Sequence, residues 1–363
     1  MNLLIRIIQW VVGLLFIFSG LVKANDPLGL SYKMQEFFEV WGLHALNHYT
    51  FTFAILMNAF EIIAGVAVII GWRMRLFIWL LLLLIVFFTF LTGYAHMSGK
   101  IKSCGCFGDC LPLSSLQSFI KDILLLVFIF ILLLNLHLVR PAFTDMVINV
   151  IAMIVAVVFS FGLQWYTLRY LPVVDCLPYK KGNNLLELSK MPKDAVPDQY
   201  SFLFLYKKNG VQQQFTLANL PDSSWTFVDR LQVLVKKGRN NEPKVKDFLL
   251  RNADGVDVTH DILRQTGRYY LLFLNDPSLV NRNASWIQEI ERIAPYHRIY
   301  IVTSQVGATQ ELLSGHKGLE RLPVFSCDGT AIKTAARASV VLYRMHGAVV
   351  EQKWAAPQFG VVQ

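Results

Sequence analysis

Five stretches of the chain are apolar over nearly their whole length, and the polar residues collect between them. They are Leu3–Val22, Phe51–Gly71, Leu76–Tyr94, Phe119–Leu138 and Met146–Leu163. A bilayer core needs about 20 apolar residues in one helix, so each stretch predicts a membrane span. Leu80–Leu84 and Leu132–Leu134 are apolar on every side, which predicts helices facing lipid. Val22-Lys23-Ala24 has the look of a signal-peptide cleavage site. The stretch before it is long, Lys23 sits beside the cut and four more spans follow, so it reads as a retained first span.

Beyond residue 172 the pattern shortens. Residues 173–198 hold three prolines and several lysines and read as a linker. Ser201–Lys207 and Val211–Leu217 flank Lys208-Asn209-Gly210, a hairpin signal. With a further strand at Thr226–Val235 they predict a β-rich segment over 199–242. A second unit is expected over 243–355. Lys246–Leu250 and Asp254–Thr259 predict another hairpin, and Tyr269–Leu274 and Arg298–Thr303 predict core strands. Trp286–Ala294 has helical spacing, with Ile287, Ile290, Ile293 and Ala294 on one face. Ala331–Arg337 predicts a short helix. Val340–Arg344 and Val349–Lys353 predict a closing hairpin through His346-Gly347.

Composition supports a membrane half followed by a soluble half. Of 363 residues, 54% are hydrophobic and 16% charged, and mean hydropathy is +0.44. An ordinary soluble domain carries about 25% charge. The net charge of +9 divides into +3 over residues 1–172 and +6 beyond, with no basic run or basic–aromatic stripe. Nucleic acid is therefore not an expected partner, whereas membrane lipid is. No Rossmann or P-loop fingerprint predicts a nucleotide cofactor.

Lys and Arg in short loops give orientation. Trp72-Arg73-Met74-Arg75 is short and doubly positive, and Arg140 has the same parity. Both predict cytoplasmic links and a cytoplasmic N-terminus. Residues 23–50, residues 95–118 and everything after Leu163 then lie outside. In a bacterium this is a five-span inner-membrane protein with a periplasmic C-terminal domain.

All five cysteines, Cys104, Cys106, Cys110, Cys176 and Cys327, fall on that outer side, where disulfides persist. Three are crowded into Cys104-Gly105-Cys106-Phe107-Gly108-Asp109-Cys110. A Cys104–Cys106 bridge closes a very small ring, and strained, exposed disulfides are the exchangeable ones. Cys110 is spaced to act as a resolving thiol. Lys100 and Lys102 would lower a thiol pKa, and Asp109 would oppose them. A structural disulfide and a soft-metal site for Cu(I) or Zn(II), with His96 as a further ligand, remain open beside redox exchange.

Glu61 lies mid-span, where a carboxylate needs a partner. Lys23 closes the first span, and Lys121-Asp122 opens the fourth. A Glu61–Lys23 or Glu61–Lys121 contact is expected, serving helix packing or a proton relay. Ser19-Gly20 and Gly65 predict close helix approach.

The run Gly13–Lys23 followed by Asp26-Pro27 resembles the first helix of the DoxX/MauE superfamily. Glu61, the Cys-Gly-Cys-Phe-Gly loop and Lys121-Asp122 are similar too, most of all to the MauE (methylamine utilisation) branch, over roughly residues 5–140. The resemblance implies a four-helix membrane bundle over 1–140 with a periplasmic cysteine pair. It also implies thiol–disulfide chemistry or maturation of an exported partner. Cys110 and a fifth span over 141–172 depart from it. The whole layout, including Asp175-Cys176-Leu177-Pro178, resembles the longer DoxX-type chains of Bacteroidetes.

The order hairpin–β–α–β–α–ββ over 243–355 resembles the thioredoxin fold of TlpA-like and peroxiredoxin-like proteins. Where that fold places Cys-x-x-Cys, this chain has Asn275–Asn283 without cysteine. Ala338-Ser339-Val340 stands where a proline is expected. This domain is not expected to exchange dithiols itself. Cys327 is expected as a buried thiol, with a bridge to Cys176 the other option.

The expected fold is thus an all-α membrane helix bundle, four helices plus a fifth span. An α/β thioredoxin-like domain follows, with an extra β-hairpin region before it. Three functions follow, the third being metal handling at the cysteine cluster. In the first, Cys104 and Cys106 exchange electrons with an exported thiol protein, Cys110 resolves, and a quinone near Glu61 is the electron sink. In the second, the chain is a non-enzymatic scaffold that docks an exported partner through its cysteine-free domain.

Overall fold

The computed structural model describes residues 2–99, 101, 105, 107–139, 141–236, 238, 240–277, 285–316 and 318–362. Within these, five helices are long and apolar enough to cross a membrane. The first is α1 (Asn2–Asn25). A shorter helix, α2 (Pro27–Val40), follows it directly. Asp26 caps α2 by accepting from the Gly29 amide at 3.0 Å, and Pro27 opens its first turn. Then come α3 (Thr50–Ile70), α4 (Met74–Ser98), α5 (Ser115–Leu134) and α6 (Met146–Tyr170). The expected spans are all present. Three run longer than their apolar cores, to Asn25, Ser98 and Tyr170. The segment over 23–50, expected only as an outside loop, contains α2. Its Leu30 and Phe37 turn inward, and a 14-residue amphipathic helix is too short to read as a span.

Small residues bring α1 against α3. A Cβ on Gly20 would lie 2.7 Å from Ile62 Cγ1 and 3.0 Å from the Ile62 amide nitrogen. One on Gly65 would lie 2.7 Å from the Gly13 carbonyl oxygen. Lipid offers no hydrophobic drive between helices, so such close contact and buried polar pairs hold them. The fifth span is joined by one such pair. Asn58 Nδ2 donates to Gln164 Oε1 at 3.2 Å, and Gln164 Nε2 donates to the Ile55 carbonyl at 3.1 Å.

After α6 the chain enters the segment expected as a linker, 173–198. It is not a free tether. Tyr179 and Leu185 are buried in the core of the domain that follows, and Leu185 begins the one-turn helix α7 (Leu185–Leu188). The Gly182 and Leu185 amides donate to the Val350 and Ala348 carbonyls, both at 2.8 Å. Strands β1 (Gln199–Lys208), β2 (Val211–Thr216) and β3 (Thr226–Lys236) form a separate antiparallel sheet, ordered β2-β1-β3. Asn209 and Gly210, both with positive φ, close the β1–β2 hairpin as expected.

The last unit contains α8 (Thr259–Arg264), β4 (Arg268–Leu274), α9 (Ser285–Ile293), β5 (Ile299–Thr303), α10 (Val306–Leu313) and β6 (Val324–Ser326). It ends with α11 (Gly329–Ala336), β7 (Val340–His346), β8 (Val349–Ala355) and a closing 3-10 helix, Ala356–Val361. The sheet order is β6-β5-β4-β7-β8, with β5 parallel to β4 and to β6, and β7 antiparallel to β4 and to β8. Strand β4 sits at the centre and is buried on both faces. Tyr269, Leu271 and Phe273 pack with α11 on one side. Tyr270, Leu272 and Leu274 pack with α9 and α10 on the other. The hairpin expected from Lys246–Leu250 and Asp254–Thr259 is reduced to its tip, where the Val258 amide donates to the Leu250 carbonyl at 2.8 Å and the Asn252 amide to the Val256 carbonyl at 3.0 Å. Asp247 takes a left-handed φ of 52°, and Arg251 makes only isolated bridges, to Asp257 and to Ser326 beside the sheet edge. Helix α10 and strand β6 were not expected.

Candidate functional site

Cys104 and Cys106, like Lys100 and Lys102, lie outside the described residues. The loop around them is anchored by its neighbours. Gly105 and Gly108 have φ of +67° and +56°, and the Gly108 amide donates to the Gly105 carbonyl at 2.9 Å, closing a tight turn. The Phe107 ring packs on Phe18 of α1, with centroids 5.6 Å apart, and the Lys121 ammonium lies 4.8 Å from its centre. Cys110, expected as a resolving thiol, is bonded to Cys176. The segment leaving α6 carries Cys176 back to the cysteine loop, so Cys110 is not a free thiol. The option of a Cys176–Cys327 bridge is excluded with it.

Cys327 is free and buried under the second sheet. Burial pushes its thiol up to about 12, against hydrogen bonds from the Leu249 and Asp328 amides. It is therefore a neutral thiol at physiological pH.

At membrane depth Glu61 pairs with Lys23, both essentially without exposure. Of the two partners expected for Glu61, Lys23 is the one in contact. Lys121 instead pairs with Asp122 at 2.8 Å, and Thr92 donates to Asp122 at 3.0 Å. The Lys23 ammonium also lies 5.1 Å from the Phe88 ring centre. The second oxygen of Glu61 has no hydrogen-bond partner among the described residues. His96 is exposed on the last turn of α4, and no group of three His, Cys, Asp or Glu side chains with metal-site geometry occurs among the described residues.

Two cavities share Lys23 in their linings. One, of about 540 Å³, is an open cleft between α2, α3 and α4, with Lys23, Thr92 and Gly105 in its lining. The other, about 10 Å³, is lined by Ser19, Lys23, Glu61, Phe107 and Lys121. Gly105 borders the first and Phe107 the second.

The C-terminal unit sits on this end of the bundle. Arg337, at the end of α11, places its guanidinium 2.8 Å from Asp26 and 2.6 Å from Asp109. It also lies 5.4 Å from the Tyr32 ring centre on α2. Asn275, just past β4, donates to the Tyr32 hydroxyl at 3.3 Å. Lys353 of β8 reaches Asp175 at 2.8 Å. Asn25 exchanges two hydrogen bonds with the Val174 backbone, at 2.8 and 3.0 Å. Burial raises the Asp26 carboxyl above its ordinary range and outweighs the opposing pull of Arg337. Burial likewise raises the Tyr32 hydroxyl and lowers Lys353, the latter against the favourable charge of Asp175.

Asp26, Tyr32, Thr92, Asn275 and Arg337 were not expected at the site. Asp26-Pro27 and Asp109 were visible in the sequence as a motif residue and a loop charge, without their shared partner. Nothing in the sequence pairs α2 with a residue 300 positions later.

Residues 1–135 match the family model of methylamine utilisation protein MauE. The N-terminal region is MauE-like. The match covers α1 to α5 and agrees with the resemblance read over about residues 5–140. The MauE-like region holds Lys23, Glu61, Asp109 and Cys110. The fifth span, Cys176 and both sheets lie beyond it. Residues 200–237, the three-stranded sheet, match a domain of unknown function (DUF8463). Comparison with curated proteins and with solved structures finds no match.

Proposed function

We propose that this MauE-like membrane protein is a bacterial inner-membrane thiol–disulfide exchanger whose Cys104 and Cys106 face the periplasm. The observation that carries the reading is the bond that takes Cys110 out of the loop's set of three cysteines. Cys110 is held in a structural bond to Cys176, so fixing the loop needs neither Cys104 nor Cys106. A partner thiolate attacks one sulfur of the Cys104–Cys106 disulfide and forms a mixed disulfide. The second partner thiol then closes the partner's own disulfide. Two electrons and two protons pass to Cys104 and Cys106, and no third thiol of this chain takes part.

The last unit supports a positioning role. Its mixed sheet, with the neighbours β5-β4-β7-β8 and helices on both faces, supports reading this unit as thioredoxin-like. Strand β6 occupies one edge after β5, a departure from the expected order. The end of β4, where that fold carries its dithiol, holds Asn275 against Tyr32 of the membrane bundle. Such a domain docks on its own cysteine loop rather than exchanging thiols.

A second reading, a scaffold for an exported partner, is favoured by the β2-β1-β3 sheet. Leu231, Val233 and Val235, at alternate positions of β3 and so on one face, are all exposed, and clustered exposed apolar side chains mark interaction sites.

The test is a redox titration of the full chain in native membranes, with acid trapping and mass-tagging of thiols. The Cys110–Cys176 bond is the internal standard. Exchange of Cys104 and Cys106 on the order of −120 to −270 mV supports the exchanger. Resistance below about −300 mV, or thiols that never oxidise, overturns it and leaves the scaffold.

A further inference from the structure

The 540 Å³ cavity asks for an occupant of specific chemistry. Its walls are apolar and aromatic, including Phe37, Trp41, Leu56, Phe60, Leu84 and Phe87. Leu56 and Phe87 are also exposed on the outer surface of the bundle, so the mouth faces lipid. Both cations in the lining are already neutralised, Lys23 by Glu61 and Lys33 by Glu36 at 2.7 Å. A paired site does not select a phosphate headgroup. It offers donors to a neutral acceptor instead. The Lys23 ammonium has three protons, and Glu61 is its one hydrogen-bond partner among the described residues.

Behind Lys23 lies the 10 Å³ chamber, about the room one water needs. The unpartnered oxygen of Glu61 is fully buried there, a group that calls for a proton or a water. Gly105 borders the large cavity and Phe107 the small one, with Cys106 between them in sequence.

We propose that this cavity binds an isoprenoid quinone, with its ring at the Lys23 and Thr92 end and its tail leaving towards lipid. Lys23 donates to a ring carbonyl. Glu61 and the small chamber supply the proton path. The redox step rests on the exchanger reading above, whereas binding does not. In that step the Cys104 and Cys106 thiols give up two protons and two electrons and form one S–S bond. The two carbonyl oxygens of the quinone take up both protons and both electrons, giving the quinol.

The test uses the full chain in phosphatidylcholine vesicles, titrated with menaquinone-4. Tryptophan fluorescence is followed in the wild type and in Cys104→Ser/Cys106→Ser. Saturable quenching in both is expected, and Trp41→Phe removes the saturable part. Leu56→Trp and Leu84→Trp, on different helices, fill the cavity and weaken binding at least tenfold, with unfolding temperature checked for each. No saturable quenching, or saturation untouched by both filling variants, overturns the site even if Cys104 and Cys106 titrate normally with dithiothreitol. Normal binding with wild-type thiols that menaquinone-4 never oxidises overturns the redox step and leaves the site standing.

Discussion

The Arg337 guanidinium lies 2.6 Å from the Asp109 carboxylate, and Asp109 is the residue before Cys110. A residue of the last helix is thus ion-paired to the cysteine loop of the membrane bundle. The same guanidinium holds Asp26, the cap of α2. One side chain therefore joins the loop, the cavity wall and the C-terminal unit.

Removing that side chain strands a buried carboxylate. Arg337→Ala is expected to destabilise the docked arrangement by about 3 to 5 kcal/mol. Arg337→Met combined with Asp26→Asn should cost less, because the more buried carboxylate is neutralised and the one left unpaired, Asp109, is half-exposed and can be solvated. Hydrogen exchange of the α2 amides in vesicles checks this: protection should fall in the single variant and largely return in the double. Equal loss in both would contradict it.

The Lys23–Glu61 pair should obey the same arithmetic inside the bundle. Glu61→Gln and Lys23→Met are each expected to lower stability by several kcal/mol, and their combination by less than the sum. A double-mutant cycle on thermal unfolding in vesicles measures the coupling. Simple additivity would mean that the pair is not coupled.

Cys327 gives a pH prediction with a definite sign. Its folded value of about 12 stands above the ordinary 9.0. Below pH 9 both states keep the proton, so the stabilising difference is complete. As pH rises from 9 towards 12 the unfolded state ionises first, and stability falls. Cys327→Ala should remove that part of the alkaline slope. In the native chain Cys327 should resist maleimide at pH 8 and react only after denaturation.

Breaking the Cys110–Cys176 bond releases a loop with a sequence separation of 66. Chain-entropy reasoning sets the upper limit of the loss at about 4 kcal/mol. Cys110→Ser and Cys176→Ser should lower the unfolding temperature alike, and the double variant should add nothing further. Unequal single variants would show that one of the two cysteines does something besides bonding.

Legibility in the sequence followed the range of the interaction. The five spans were readable because each is a continuous apolar run, and the Asn209-Gly210 hairpin because its turn chemistry is local. The partners of Glu61 narrowed to two because a buried carboxylate demands a cation. Packing then chose Lys23, since Gly20 and Gly65 press α1 against α3. Helix α2 was hidden because its apolar face is short and its cap, Asp26, also serves a distant partner. Lys246–Leu250 has strand composition, but Asp247 turns the backbone, and pairing is confined to Leu250 and Arg251 at its end. Cysteine spacing does not give connectivity, so Cys110 looked like a member of the exchangeable group. Arg337 carried no signal at all. Its role depends on two carboxylates brought together by folding from residues 26 and 109.

The Cys110–Cys176 bond also reports on biogenesis. Its two sulfurs belong to segments separated by α5 and α6, that is, by two passes through the bilayer. They meet only when both passes have been completed and both segments emerge on the same face of the bilayer. A chain whose sixth helix failed to insert would leave Cys176 on the wrong side and unbonded. The crosslink is a permanent stamp of correct insertion, readable after one protease cut between the two cysteines as fragments that separate only under reduction.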